Sequence, residues 1–131
     1  GGAAAADVTI HRRLDIRIAH TVCLAGAFTA WDPTSGGQLA AELPDGDDRP
    51  PFTLLHGVAD DIVPVAASRT FASTLKQNNW PVEFAELDAD HGSIAGATYD
   101  PSTDSYSAAE DPESLAVAAE VAARIASATG R

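Results

Sequence analysis

The sequence predicts an α/β fold with about three parallel strands and flanking helices. Residues 51–91 carry most of that prediction, reading as a buried strand, an acid-rich turn, an amphipathic helix, a second strand and a histidine loop. Strands that alternate with helices specify a parallel sheet. A second observation is that Ile18 to Leu24, IAHTVCL, is apolar on both faces, as in a strand covered on two sides. The third is positional: Asp60 comes just after the first strand of the 51–91 stretch, and His91 just after the second. Parallel sheets bind ligands outside the carboxyl ends of their strands, so both side chains belong on that edge.

Taken in order, Gly1 to Val8 reads as the body of a short helix whose alanines allow close packing on a sheet. No cap or lead-in strand precedes it, so the expectation is a chain that starts mid-element. His11, Arg12 and Arg13 form a solvated basic turn. Ala25 to Pro51 has no sustained period and carries Asp32-Pro33, Gly36-Gly37, Pro44-Asp45-Gly46 and Pro50-Pro51, all turn chemistry. It reads mainly as surface loop, with Phe28 and Trp31 as candidates to line a pocket.

Phe52 to Leu55 is the next buried strand, closed by His56-Gly57. Pro64 suits the first position of a helix, where its missing N–H costs nothing. Ala67, Phe71 and Leu75 then recur every four residues and give that helix an apolar face. Asn78 and Asn79 end it, and Val82 to Leu87 is the third strand. Gly92 to Glu110 is rich in Ser, Asp, Gly and Thr and reads as an irregular loop over the reactive edge. Asp111 is a good N-cap and Pro112 a good first residue. Leu115, Ala118, Ala119, Ala122 and Ile125 give the last helix its expected buried stripe, ending near Gly130.

A chain of 131 residues forms one domain at most. Three parallel strands cannot leave a long open edge. The expectation is therefore that residues 1–131 are a single partial domain, its sheet completed by another segment or chain. Acidic residues outnumber basic ones 19 to 8, for a net charge of −11. That field repels phosphate, which argues against nucleic acid and against an anionic membrane surface as partners. Cys23 is alone, so no internal disulfide framework exists.

Asp60 is the first candidate for chemistry. An acid ahead of a helix is ordinarily a cap, but with Pro64 as the first helical residue the cap position falls on Val63. That frees Asp60 for another role and leaves Asp61 facing water. His91, one strand–helix–strand unit later, can meet Asp60 because neighbouring parallel strands bring their carboxyl ends within side-chain reach. An acid that accepts from one imidazole nitrogen fixes the tautomer and leaves the other nitrogen free to take a proton from a nucleophile.

The nucleophile itself is missing. An elbow of the form Gly-x-Ser-x-Gly is required. Ser35 has Pro33 where the first glycine belongs, and Ser93 has its glycines at the wrong offsets. Cys23 lies mid-strand and is expected to be buried and inert. Asp60, Asp61, Asp88, Asp90 and His91 match no zinc or EF-hand spacing, and no phosphate loop is present, so neither metal nor cofactor is expected. His20 and His56 read as structural, and His11 as exposed.

The stretch Leu54-Leu55-His56-Gly57-Val58-Ala59-Asp60-Asp61-Ile62-Val63-Pro64, followed by Asp90-His91, resembles the C-terminal half of an α/β-hydrolase, where the acid sits in an HGxxDxxVP turn. Arg17 to Phe28 resembles the strand that follows the nucleophile helix, and Gly1-Gly2-Ala3-Ala4 the residues just after the serine of a GxSxGG elbow. The layout is nearest the esterase, dienelactone-hydrolase and polyester-hydrolase branches. The resemblance implies a serine hydrolase acting on a small carboxylic ester, with Asp60 as the triad acid and His91 as the general base. The serine and oxyanion hole would come from an upstream segment or a companion chain, the N-terminal half of the same hydrolase. A non-catalytic subunit of the same fold is the rival reading. A flavodoxin-like regulator with Asp60-Asp61 as an acidic pocket is another, although such modules place their acid pair after the first strand.

Overall fold

A computed structural model describes residues 2–10, 17–28, 49–128 and 130. Helix α1 (Gly2–Ile10) leads to β1 (Thr21–Leu24), β2 (Phe52–Gly57), α2 (Ala66–Gln77) and β3 (Val82–Leu87). A short 3₁₀ turn, Ser93–Ala95, follows, then β4 (Ala97–Asp100), β5 (Ser105–Ala108) and α3 (Pro112–Ala128). The basic turn at His11, Arg12 and Arg13, along with Trp31 and Ser35, lies outside the described residues.

β1, β2 and β3 form a parallel sheet in that order, with Thr21 beside Phe52 and Phe52 beside Val82. The strands start level, so the segments after Leu24, Gly57 and Leu87 all emerge on one edge. β2 is central and every one of its residues is buried. Its side chains alternate between two layers, as a strand's period of two requires. Phe52 and Leu54 join Ala6, Ile10, Cys23, Phe71, Leu75 and Trp80 on the α1 and α2 side. Leu55 joins Leu87, Ala89, Ile94 and Val121 on the α3 side.

Helix α2 buries Ala67, Phe71 and Leu75 on the sheet, as its period of four predicts. The Phe71 ring stacks on Phe28 with centroids 4.1 Å apart and meets Phe52 edge-on at 5.9 Å. Phe28 is therefore core rather than pocket lining, and is fully buried.

The structure shifts several sequence-derived boundaries. Helix α1 runs two residues past Val8, and the strand drawn from Ile18 is regular only from Thr21. β2 continues through His56 and Gly57, because these residues keep pairing with Glu86 and Leu87. Helix α2 begins at Ala66 rather than Pro64, since the preceding turn is tied up by a side chain described below.

The segment 92–110 is not an irregular loop. It holds the 3₁₀ turn and the antiparallel β4–β5 hairpin, in which Tyr99 pairs with Tyr106. Its four-residue strands are too short, and their flanks too polar, to give a period-two signal. Asp111 does cap α3, its Oδ1 accepting from the Ser114 N–H at 2.8 Å. The packed face of α3, however, is set by Val117 and Val121, while Leu115, Ala119, Ala122 and Ile125 are exposed and Ala118 is half-buried. With apolar side chains at most positions of this helix, periodicity does not single out one face. The β-branched pair four residues apart seats against Leu87, Ala89 and Ile94.

Candidate active site

The site begins where β2 runs out. The Val58 N–H donates to Leu87 O at 2.9 Å and the Ala59 N–H to Ala89 O at 3.0 Å, so the segments after β2 and β3 are zipped together. Only glycine fits at position 57. A Cβ there would sit 2.0 Å from Ala89 O, a distance no carbon tolerates. This close approach carries the turn after β2 to the histidine loop after β3.

Asp60 turns the chain immediately afterwards. Its Oδ1 accepts from the N–H groups of Ile62 and Val63, at 2.9 and 2.8 Å. An aspartate closing a turn on its own downstream backbone is a local preference of this residue type. Asp60 is therefore a turn-forming residue after all, but this work occupies one oxygen only. The other, Oδ2, lies 2.8 Å from His91 Nδ1. The Asp60 side chain is fully buried, whereas 28% of the His91 side chain is exposed. Burial pushes the Asp60 carboxyl up, but the Val63 N–H, the His91 imidazole and the Ile62 N–H outweigh it and hold the group below the usual carboxylate range.

His91 is held by a second turn of the same design. Asp90 Oδ1 accepts from the N–H groups of Gly92 and Ser93, at 2.9 and 2.8 Å, and Ser93 Oγ accepts from the Asp90 N–H at 2.9 Å. This reciprocal pair of bonds closes the turn from Asp90 to Ser93 that leads into the 3₁₀ turn. It gives Ser93 a backbone role, and Ser93 is buried.

With a carboxylate at Nδ1, that nitrogen carries the hydrogen and Nε2 is left with its lone pair. No hydrogen bond from the described residues engages Nε2. His91 lines a cleft of about 360 Å³ shared with Gly2, Leu24, Ala25 and Ile94. The first turn of α1 therefore opens onto the same space as the imidazole.

Asp60 has a second histidine neighbour that sequence reasoning placed only as structural. His56 is fully buried at the end of β2, with Nε2 2.7 Å from Val63 O and 3.3 Å from Asp60 Oδ2. Its Nδ1 lies 2.6 Å from Ser68 Oγ on α2. Ser68, His56 and Asp60 thus have the connectivity of a triad. Yet Ser68 is 1% exposed, so no substrate reaches its hydroxyl. No sequence spacing announces this contact, because it depends on how α2 packs over β2.

The remaining candidates fall outside the site. Asp61 is exposed. His20 pairs through Nε2 with Thr53 Oγ1 at 2.8 Å. Cys23 is buried, and its thiol is pushed up to about 12 by that burial. His11 and Ser35 lie outside the described residues.

No family model matches the chain, and neither does any curated protein. Solved structures do match its architecture. One is an α/β-hydrolase enzyme, MGS-M1, from a Medee basin deep-sea metagenome library, with a TM-score of 0.55 and 23% identity over 73% of this chain. The chain has an α/β-hydrolase fold. Esterase 2 of the planctomycete Thermogutta terrifontis matches 99% of the chain with a TM-score of 0.60 and 18% identity. Esterase PE8 matches 69% of it with a TM-score of 0.51 and 25% identity. The chain spans 38% of MGS-M1 and of PE8, and 53% of the Thermogutta esterase. It therefore corresponds to part of these α/β-hydrolase structures, with three parallel strands and flanking helices in place.

Proposed function

We propose that this chain supplies the acid and the general base, Asp60 and His91, of a serine hydrolase acting on small carboxylic esters. The nucleophilic serine and the oxyanion hole come from an upstream segment or companion chain, the N-terminal half of the same domain. One observation carries the reading: a buried carboxylate 2.8 Å from Nδ1 of an imidazole whose Nε2 is engaged by none of the described residues, at a cleft that also receives the first turn of a helix. The likeness of the fold to solved esterases supports it.

In the assembled enzyme a serine hydroxyl just ahead of α1 attacks the ester carbonyl and passes its proton to His91 Nε2. The imidazolium that forms is stabilised by Asp60, which stays ionised because its remaining oxygen is held by two backbone N–H groups. His91 returns the proton to the departing alcohol. It then takes a proton from water, whose oxygen attacks the acyl carbon, and returns that proton to the serine Oγ as the acyl–oxygen bond breaks and the carboxylic acid leaves. Backbone N–H groups of the missing half stabilise the oxyanion. No cofactor takes part.

The test is labelling of the assembled protein with a fluorophosphonate, together with turnover of a p-nitrophenyl ester. Labelling of a serine outside this chain, lost when His91 is replaced by alanine, is the expected result. Absence of labelling in a correctly assembled complex would leave a non-catalytic subunit of the same fold.

A further inference from the structure

Among the described residues, His56 is the one buried imidazole that the proposed chemistry does not use. Its environment is more specific than space-filling requires. Nε2 faces two oxygens, Val63 O at 2.7 Å and Asp60 Oδ2 at 3.3 Å, and neither an ionised carboxylate nor a carbonyl can donate. The hydrogen of a neutral His56 therefore sits on Nε2. Nδ1 then accepts from the Ser68 hydroxyl, 2.6 Å away, which ties the ring to α2.

The carbonyl that Nε2 engages belongs to Val63, whose own N–H donates to Asp60 Oδ1. The 60–63 turn is thus held from both sides. The Asp60 carboxylate grips the N–H groups, and His56 grips the carbonyl at the far end while placing its positive edge beside Oδ2.

We propose that His56 is a positioning residue, fixing the Asp60 carboxylate so that Oδ2 meets His91 Nδ1 and holds His91 in the Nδ1–H tautomer. The inference rests on the hydrolase reading for its significance, but its geometry and its test do not need turnover. A carboxylate 2.8 Å from His91 enforces one tautomer only while it stays in place.

The experiment reads histidine tautomers in the folded chain by two-bond ¹H–¹⁵N correlation at a pH where the imidazoles are neutral. In the wild-type chain His56 is expected as Nε2–H and His91 as Nδ1–H. His56→Asn keeps a polar atom near the Nδ1 position and removes the Nε2 donor, and is expected to lose the His91 Nδ1–H signal in favour of the Nε2–H form. His56→Gln restores a donor near the Nε2 position and is expected to recover it. A residue that merely fills the core would lower the melting temperature in both variants and leave the His91 tautomer unchanged.

A folded His56→Asn chain with His91 still fully Nδ1–H overturns the proposal. If that variant does not fold, the wild-type spectrum still decides, because His56 found as the Nδ1–H tautomer overturns it as well. An assembled protein that shows the tautomer response and no ester turnover would defeat the hydrolase reading and leave the positioning role intact.

Discussion

His91 Nδ1 lies 2.8 Å from Asp60 Oδ2 although 31 residues separate the two in the chain. The juxtaposition needs two parallel strands in register, a glycine at the end of the first, and a turn after each that closes on an aspartate. Each of these parts can be altered separately.

Under the proposed function, removing either member of the pair should collapse turnover in the assembled protein. Asp60→Asn and His91→Ala are expected to lower kcat by roughly 10⁴-fold or more, with little change in KM. Steady-state kinetics on an activated ester checks this, and near-wild-type kcat in either variant would end the assignment.

Gly57→Ala tests the close approach of the two strand ends. The added methyl would meet Ala89 O, a backbone atom with no freedom to move aside. Overpacking of this kind typically costs about 1–3 kcal/mol. Urea denaturation should show that loss, and the His91 ring should lose its carboxylate partner in the same variant.

Asp60 predicts a specific acid sensitivity. Its folded-state pKa lies below its ordinary value, so its contribution to stability is fully present above about 3.9, the pKa of an unperturbed aspartate. That contribution fades as pH falls through the lower, folded-state value. Denaturation midpoints measured from neutral pH downward should drop across that window in the wild type, and this part of the decline should be missing in Asp60→Asn.

Cys23 should be inert in the folded chain. Burial pushes its thiol up to about 12, so almost no thiolate exists at pH 8. A disulfide reagent such as DTNB is expected to react with it only after denaturation. Rapid stoichiometric reaction of the native protein would contradict the buried placement.

The core around α2 rests on aromatic packing. Phe71 touches both Phe28 and Phe52 and is fully buried. Phe71→Ala is expected to cost about 3–5 kcal/mol, read as a shift in the denaturant midpoint.

What the sequence disclosed follows from the range of the interactions involved. The strands drawn at 52–55 and 82–87 were legible as short apolar-rich runs bounded by turn residues, and the face of α2 was legible because Ala67, Phe71 and Leu75 recur every four residues. Asp60 and His91 could be placed on one edge because topology alone fixes which strand ends meet. The Ser68–His56 contact depends on how a helix crosses a strand, and no spacing encodes that. The face of α3 was misjudged because a helix with alanine or valine at most positions has several apolar sides. Only the competition for space against Leu87, Ala89 and Ile94 selects Val117 and Val121.

Asp60 divides its labour, one oxygen bending the backbone and the other gripping an imidazole. Evolution cannot tune these two jobs apart. A glutamate would reach the imidazole only by letting go of the chain, and an acid transplanted to another strand tip would have to find a new bend to live in. The aspartate therefore answers to the backbone as well as to the imidazole, and the bend would still require it in a chain of this fold that carried out no chemistry at all.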